Sequence, residues 1–225
     1  MRRTRVLPLL VLLLSMPAGL HAQFRIGGGL SLSELFGEDV GENDARAGLA
    51  LGASAGLFGF GPARLMAEVY YRQKGAKDVM EAQNFLAAGE AVEFGVDYIE
   101  VPLLVRFNLP PLGERVVPYL QGGPVFGWQV DCGVRVTPEG GEEACDDFSG
   151  ENLEETIRDY EQGVTVGGGL DIVVLEGLGA VSLDGRYIRG LSRLSQDGEV
   201  KNQGFALLLG YSFGLPADFP GLPRR

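Results

Sequence analysis

The sequence predicts an all-β protein, an eight-stranded antiparallel up-and-down transmembrane β-barrel, and three observations predict it. An export signal opens the chain, eight segments of alternating polarity follow, and their connections run long, short, long, short. Membrane barrels have this rhythm because tight turns join the strands on one side and longer loops join them on the other. No stretch after the signal reaches the roughly 18 apolar residues of a helical span. Only helices and closed sheets satisfy every backbone group in lipid, so a membrane protein built from this chain has to be a barrel.

The signal occupies residues 1–22. Arg2, Arg3 and Arg5 precede the apolar run Val6–Leu14, and the small-residue stretch ends at Ala22, the expected cleavage site. That run is too short to span a bilayer, which takes about 20 residues. Cleavage removes three of 19 basic residues and leaves 16 against 30 acidic ones, a net charge of −14, and it removes His21, the single histidine. Such acidity argues against nucleic acid, which is held by Lys and Arg on phosphates. The barrel is assigned to residues 23–215 and a Pro-rich periplasmic tail to 216–225.

The strands follow in order. Phe24–Leu32 alternates Phe24, Ile26, Gly28, Leu30 and Leu32 with Arg25, Gly27, Gly29 and Ser31. An acidic loop leads to strand two, Ala47–Phe60, and Gly61-Pro62 makes a tight turn by residue type. Strand three, Leu65–Gly75, sets Ala67, Val69 and Tyr71 against Glu68, Tyr70 and Arg72. Strand four, Phe94–Asn108, sets Ile99, Val101, Leu103 and Val105 against Tyr98, Glu100, Leu104 and Arg106. Pro102 gives up a ladder hydrogen bond there, so a bulge is expected. Strand five, Val116–Asp131, sets Leu120, Phe126, Trp128 and Val130 against Tyr119, Gln121, Gln129 and Asp131. The longest loop, 132–159, comes next, then strand six, Tyr160–Val174, carrying Asp171. Strand seven has Asp184 and Arg186 opposite Leu183 and Tyr187, and strand eight is Gly204–Leu215.

Period-two segments of about ten residues match a tilted spanning strand. An even count puts both termini in the periplasm and the long loops outside. Tyr70, Tyr71, Phe107, Trp128, Tyr187, Tyr211 and Phe213 fall near strand ends, where an interfacial girdle lies. A soluble ligand-binding barrel in the periplasm would keep its apolar face inside. Here the face opposite the apolar one carries Glu68, Arg72, Glu100, Arg106, Asp171, Asp184 and Arg186, both signs in near balance.

Strands four and five carry a resemblance as well. Tyr98-Ile99-Glu100-Val101-Pro102-Leu103-Leu104-Val105-Arg106, followed by Pro118-Tyr119-Leu120 and Gly122-Gly123-Pro124, resembles the bacterial outer-membrane β-barrel domain family often called the porin family. Gly210, Phe213 and Leu215 are similar to the carboxy-terminal signal read by the barrel-assembly machinery, with the departure that a tail follows here. The resemblance implies an eight-stranded barrel in the outer membrane and supplies no activity.

Chemistry-bearing groups are few. Cys132 and Cys145 bracket one loop of an exported protein and are expected to form a disulfide. The acidic residues between Glu139 and Glu155 read as a solvated loop with a short helix near Glu151–Tyr160; no calcium-loop spacing is present. Gly27-Gly28-Gly29 and Gly167-Gly168-Gly169 lack the Lys-Ser/Thr of a phosphate loop. No cofactor, metal site or catalytic residue is expected, since the mature chain has no histidine to serve as general base. The reading is a monomeric structural or surface-interaction protein, with the bilayer, the assembly machinery and an extracellular partner at the loops as its contacts. A narrow porin-like channel for small ions or solutes is the alternative.

Overall fold

The structure, a computed structural model, describes residues 24–37, 40, 43–77, 91–137, 142–144, 158–175, 179–194 and 199–213. The signal, the tail and most of the acidic loop after Thr137 lie outside the described residues, as does the helix expected near Glu151. Eight long strands form the wall: β1 (Phe24–Phe36), β2 (Asp44–Phe60), β3 (Ala63–Lys77), β4 (Ala91–Asn108), β5 (Val116–Thr137), β7 (Tyr160–Leu175), β8 (Gly179–Gly190) and β9 (Lys201–Phe213). A three-residue strand, β6 (Glu142–Ala144), lies between β5 and β7 in the chain. Each long strand pairs antiparallel with its sequence neighbours in the wall, and β1 pairs with β9 from Phe24↔Phe213 to Phe36↔Lys201. That last ladder closes the sheet on itself, so the wall has no free edge. Among the described residues there is no helix.

Turn chemistry fixes one end. β2 and β3 are joined by Gly61-Pro62 alone, with Gly61 at φ 60°. A positive first residue followed by a ring-locked proline is the type II′ geometry, whose twist matches the flanking strands. Asn108 and Val116, and Leu175 and Gly179, end their strands at this same turn end, whereas Phe36 and Asp44, Lys77 and Ala91, Thr137 and Tyr160, and Gly190 and Lys201 end theirs at the opposite, loop end.

Side-chain alternation separates two surfaces. Phe24, Ile26, Leu30, Leu49, Leu51, Val105, Leu120, Val166, Leu183, Leu207 and Leu209 on the outer wall are each at least 37% exposed, and 25 large apolar side chains are so exposed among the described residues. In water this would be a severe liability; around a spanning barrel it is the lipid-facing band. Aromatic pairs bound it. Near the turn end Phe24 meets Phe213 at 6.2 Å and Phe213 meets Tyr211 at 5.0 Å. Toward the loop end Trp128 meets Tyr160 at 5.5 Å and Tyr187 meets Phe205 at 5.0 Å. Phe205 and Phe213 share β9; eight steps of about 3.3 Å, tilted by about 40°, separate the belts by roughly 20 Å.

Four expectations need correction. Tyr70 does not belong to the girdle: it is 2% exposed and packs inside with Ala50, Ile188, Ala206 and Leu208. Pro102 causes no bulge, because the register runs unshifted past it on both sides, from Ala67↔Leu103 to Tyr70↔Glu100 and from Pro102↔Val125 to Val105↔Gly122. The bulge sits instead between Asp97 and Tyr98, where Asp131 and Gln129 are the partners and Val130 is the extra residue. It carries Asp131 to the exposed outer face rather than beside Gln129. Finally, Cys132 is in no loop. β5 continues to Thr137, Cys132 pairs with Val96 of β4, and β6 folds back onto Gly133–Arg135.

Candidate functional site: the lumen

Ten charged side chains are buried among the described residues, five basic and five acidic. All seven residues expected in the lumen network are there: Glu68, Arg72, Glu100, Arg106, Asp171, Asp184 and Arg186 are 1–5% exposed. Three more complete the set, Arg25 (7%), Lys74 (5%) and Glu161 (6%). The seven alone carry three positive and four negative charges, and the three additions bring the sum to zero. That imbalance was the available signal: a dry lumen needs compensation, and period two places Lys74 one inward step beyond Arg72.

The charges sort into three layers along the axis. Nearest the turn end, Asp171 of β7 takes Arg106 of β4 on Oδ2 and Arg25 of β1 on Oδ1 at 3.3 Å. Arg25 Nε donates to Ser212 Oγ at 3.1 Å, and the Arg106 guanidinium lies 3.6 Å from the centre of the Tyr119 ring. In the middle, Arg186 of β8 grips Glu68 of β3 with both terminal nitrogens and Asp184 with Nε. The Tyr119 hydroxyl (2.7 Å) and the Gln121 amide (2.6 Å) also donate to Asp184. Toward the loop end, Glu100 of β4 pairs with Arg72 Nε at 2.8 Å and Lys74 Nζ at 2.7 Å. Lys74 goes on to Glu161 of β7 at 3.1 Å, and the Asn202 amide donates to Glu161 at 3.3 Å. Glu100 and Arg106 share strand and face but belong to different layers, so they do not pair with each other.

The first layer carries one positive charge in excess, the second one negative, and the third none. Each excess is answered by the next layer at short range in a poorly polarisable interior, where such attractions are strongest. Fitting side chains this large into eight strands requires gaps on the neighbouring strands, and Gly52 pairs with Tyr70 and Gly169 with Tyr119 in the ladders. A Cβ at Gly52 would come within 2.6 Å of the Tyr70 ring, and one at Gly169 within 2.6 Å of the Tyr119 hydroxyl. The glycines that the sequence places on inward strand positions are therefore the seats of the lumen aromatics.

Above the third layer an apolar cluster closes the loop end. Leu35, Ala76, Val96, Tyr98, Val134 and Leu194 are buried there, with Val40, Phe94, Cys132 and Val200 packed against them. Leu194 is held by two backbone bonds: its N–H donates to Val200 O at 2.6 Å, and its carbonyl accepts from Arg158 at 2.9 Å. Beneath this cap a cavity bordered by Arg72, Lys74 and Asn202 has about 10 Å³, and the space between Lys74, Glu100, Val125 and Glu161 has no room for water. Side chains filling an eight-stranded barrel leave this little volume.

A closed wall with an apolar exterior, two aromatic belts and a neutralised polar interior defines a transmembrane β-barrel. The family profile described as outer membrane protein beta-barrel domain matches residues 6–213. The chain belongs to that family, and its place is the outer membrane. No curated protein matches the chain. Similar solved structures include Neisserial surface protein A, with 14% identity, TM-score 0.49 and coverage of 87% of this chain and 100% of that one. Outer Membrane Protein W of E. coli gives 11%, 0.46, 87% and 100%. The attachment invasion locus protein of Yersinia pestis, in complex with the heparin analogue sucrose octasulfate, gives 15%, 0.43, 86% and 100%.

Proposed function

We propose that the protein is a closed outer-membrane barrel whose lumen is structural and whose long loops form its working surface. The observation that carries this reading is the lumen itself: charge-neutral, layered, and capped by apolar side chains. A conducting path needs continuous water or replaceable ligands along the pore; here each carboxylate is engaged by a cation. Termini in the periplasm and loops outside follow from the even strand count. The last strand, β9, would be the handle for the assembly machinery. The barrel works as a monomer, since closure leaves no strand edge to share.

A disulfide between Cys132 and Cys145 belongs to the same proposal. Gly133 pairs with Ala144, and each cysteine is the next residue along that ladder. Cys145 lies outside the described residues. The staple would tie the β5–β6 hairpin to the apolar cap, because Cys132 packs against that cluster. It presents the acidic segment that follows as a contact surface for a partner outside the cell.

Conductance tests the reading. The refolded mature protein in a planar bilayer is expected to be silent, with insertion established separately by resistance to carbonate extraction. Discrete current steps from the unaltered protein, changed in ion preference by Lys74→Ala with Glu100→Ala, would replace this proposal with a narrow channel.

A further inference from the structure

The outer wall changes character at its loop-end rim, and differently on its two flanks. Beyond the aromatic belt β4 and β5 turn Asp97 and Asp131 outward as ladder partners, and Tyr71 and Gln73 donate to Asp97. The flank across the barrel, β8–β9–β1, carries cations instead. Arg189 is exposed on the outward row of β8, two residues beyond Tyr187. Two residues of a tilted strand rise about 5 Å, which lifts Arg189 above the Tyr187–Phe205 pair to the height of lipid headgroups. Its guanidinium crosses β9 and lies 4.9 Å from the centre of the Phe36 ring on β1. Phe36 is the ladder partner of Lys201, so both cations belong to one patch of the wall. The acids on this flank are engaged: Glu34 accepts from the Gln203 amide at 2.7 Å, and Glu199 pairs with Arg193. Gln203 is itself fixed by the Tyr187 hydroxyl, which donates to it at 3.0 Å. Among the described residues neither Arg189 nor Lys201 forms an ion pair.

We propose that Arg189 and Lys201 form a site for the phosphate headgroup of an anionic lipid in the leaflet at the loop end. Stacking on Phe36 uses the face of the guanidinium and leaves its N–H rim free, the edge that holds phosphate oxygens in pairs. Lys201 supplies a second, mobile point charge. Charge complementarity selects a phosphate, and the wall below selects its carrier. Tyr187 and Phe205 offer rings to the glycerol and the first carbons of the chains, contacts that a free anion has no means to use. Asp97 and Asp131 repel the same headgroup, which confines it to the β8–β9–β1 flank. The site holds whichever leaflet the loop end faces and whether or not the lumen conducts, so it stands apart from the function proposed above.

Native mass spectrometry of the refolded barrel tests this in micelles holding equal phosphatidic acid and phosphatidylcholine with the same acyl chains. The parent is expected to retain phosphatidic acid in preference. Arg189→Gln with Lys201→Gln should lower that preference by at least about tenfold, since each cation at a membrane surface adds measurably to anionic-lipid binding. Both side chains stand outside the packed lumen, and Arg189→Lys, which keeps the charge, should retain most of the preference. Lys77→Gln removes a cation from the same rim on β3 and should leave it intact. Equal retention of the two lipids by the parent would overturn the proposal. An equal fall in Lys77→Gln would do so too, as would displacement of the lipid by glycerol 3-phosphate at the same concentration.

Discussion

Arg186→Met probes the lumen at its most connected point. Arg186 reaches Glu68 with two nitrogens and Asp184 with a third, and all three residues are 3% exposed or less. Methionine keeps most of the side-chain volume but removes the one cation between two carboxylates. Breaking a buried ion pair by deleting one partner costs about 3–5 kcal/mol. Two acids lose the same partner here, so the upper end applies. A loss of ~5 kcal/mol is more than three tenfold steps in the folding equilibrium at about 1.4 kcal/mol each. The double change Arg186→Met, Glu68→Gln removes one charge of each sign and keeps the lumen neutral. Asp184 keeps the Tyr119 and Gln121 donors and still answers the positive excess of the first layer, so the double variant should lie within about 2 kcal/mol of the parent. Urea titration of the barrel in lipid vesicles measures both, with Trp128, the single tryptophan, reporting unfolding. A single variant within about 1 kcal/mol of the parent, or a double variant as damaged as the single, would refute the view that the layer works by mutual neutralisation.

Other consequences can be checked in the same system. Gly169→Ala drives a Cβ to 2.1 Å from Leu183 O and 2.6 Å from the Tyr119 hydroxyl, and should destabilise by about 1–3 kcal/mol, whereas Gly185→Ala, with nothing closer than 4.0 Å, should be nearly neutral by the same titration. Brominated lipids should quench Trp128 most strongly when the bromine sits near the headgroup, as its 40% exposure in the loop-end belt implies; maximal quenching from the acyl-chain end would contradict that position. Reducing the Cys132–Cys145 bridge should lower stability by roughly 3 kcal/mol in the chain-entropy model, read as a thiol-dependent shift of the urea midpoint, and two free thiols in the oxidised protein would end the staple proposal.

The barrel was legible in the sequence because lipid imposes period two on the strands, and an apolar outward row with charges on the other face has few other homes. The middle of the lumen was legible for the same reason: Glu68, Arg72, Glu100, Arg106, Asp171, Asp184 and Arg186 all interrupt apolar alternation. Lys74 and Glu161 were missed because they sit where strands leave the apolar band. There the outward row turns polar, as with Gln73 beside Lys74 and Gln162 beside Glu161, and alternation in hydrophobicity fades while the strand continues. The loop-end extensions of β4 and β5 were hidden by the same loss of contrast. Pro102 misled for another reason. A missing donor costs one ladder bond, but only an inserted residue shifts register, and nothing in the local sequence distinguishes the two.

The layered charges also bear on how the barrel is put together correctly. Sliding one strand by two residues past its neighbour preserves every inward and outward assignment, so the apolar exterior is blind to that error. The interior detects it. Moving β8 by two residues against the rest would bring Asp184 to the height where Arg186 meets Glu68, setting two carboxylates face to face and leaving Arg186 opposite the wrong layer. The lumen thus acts as a checksum on the wall, raising the energy of mis-slid closures that hydrophobicity alone would accept.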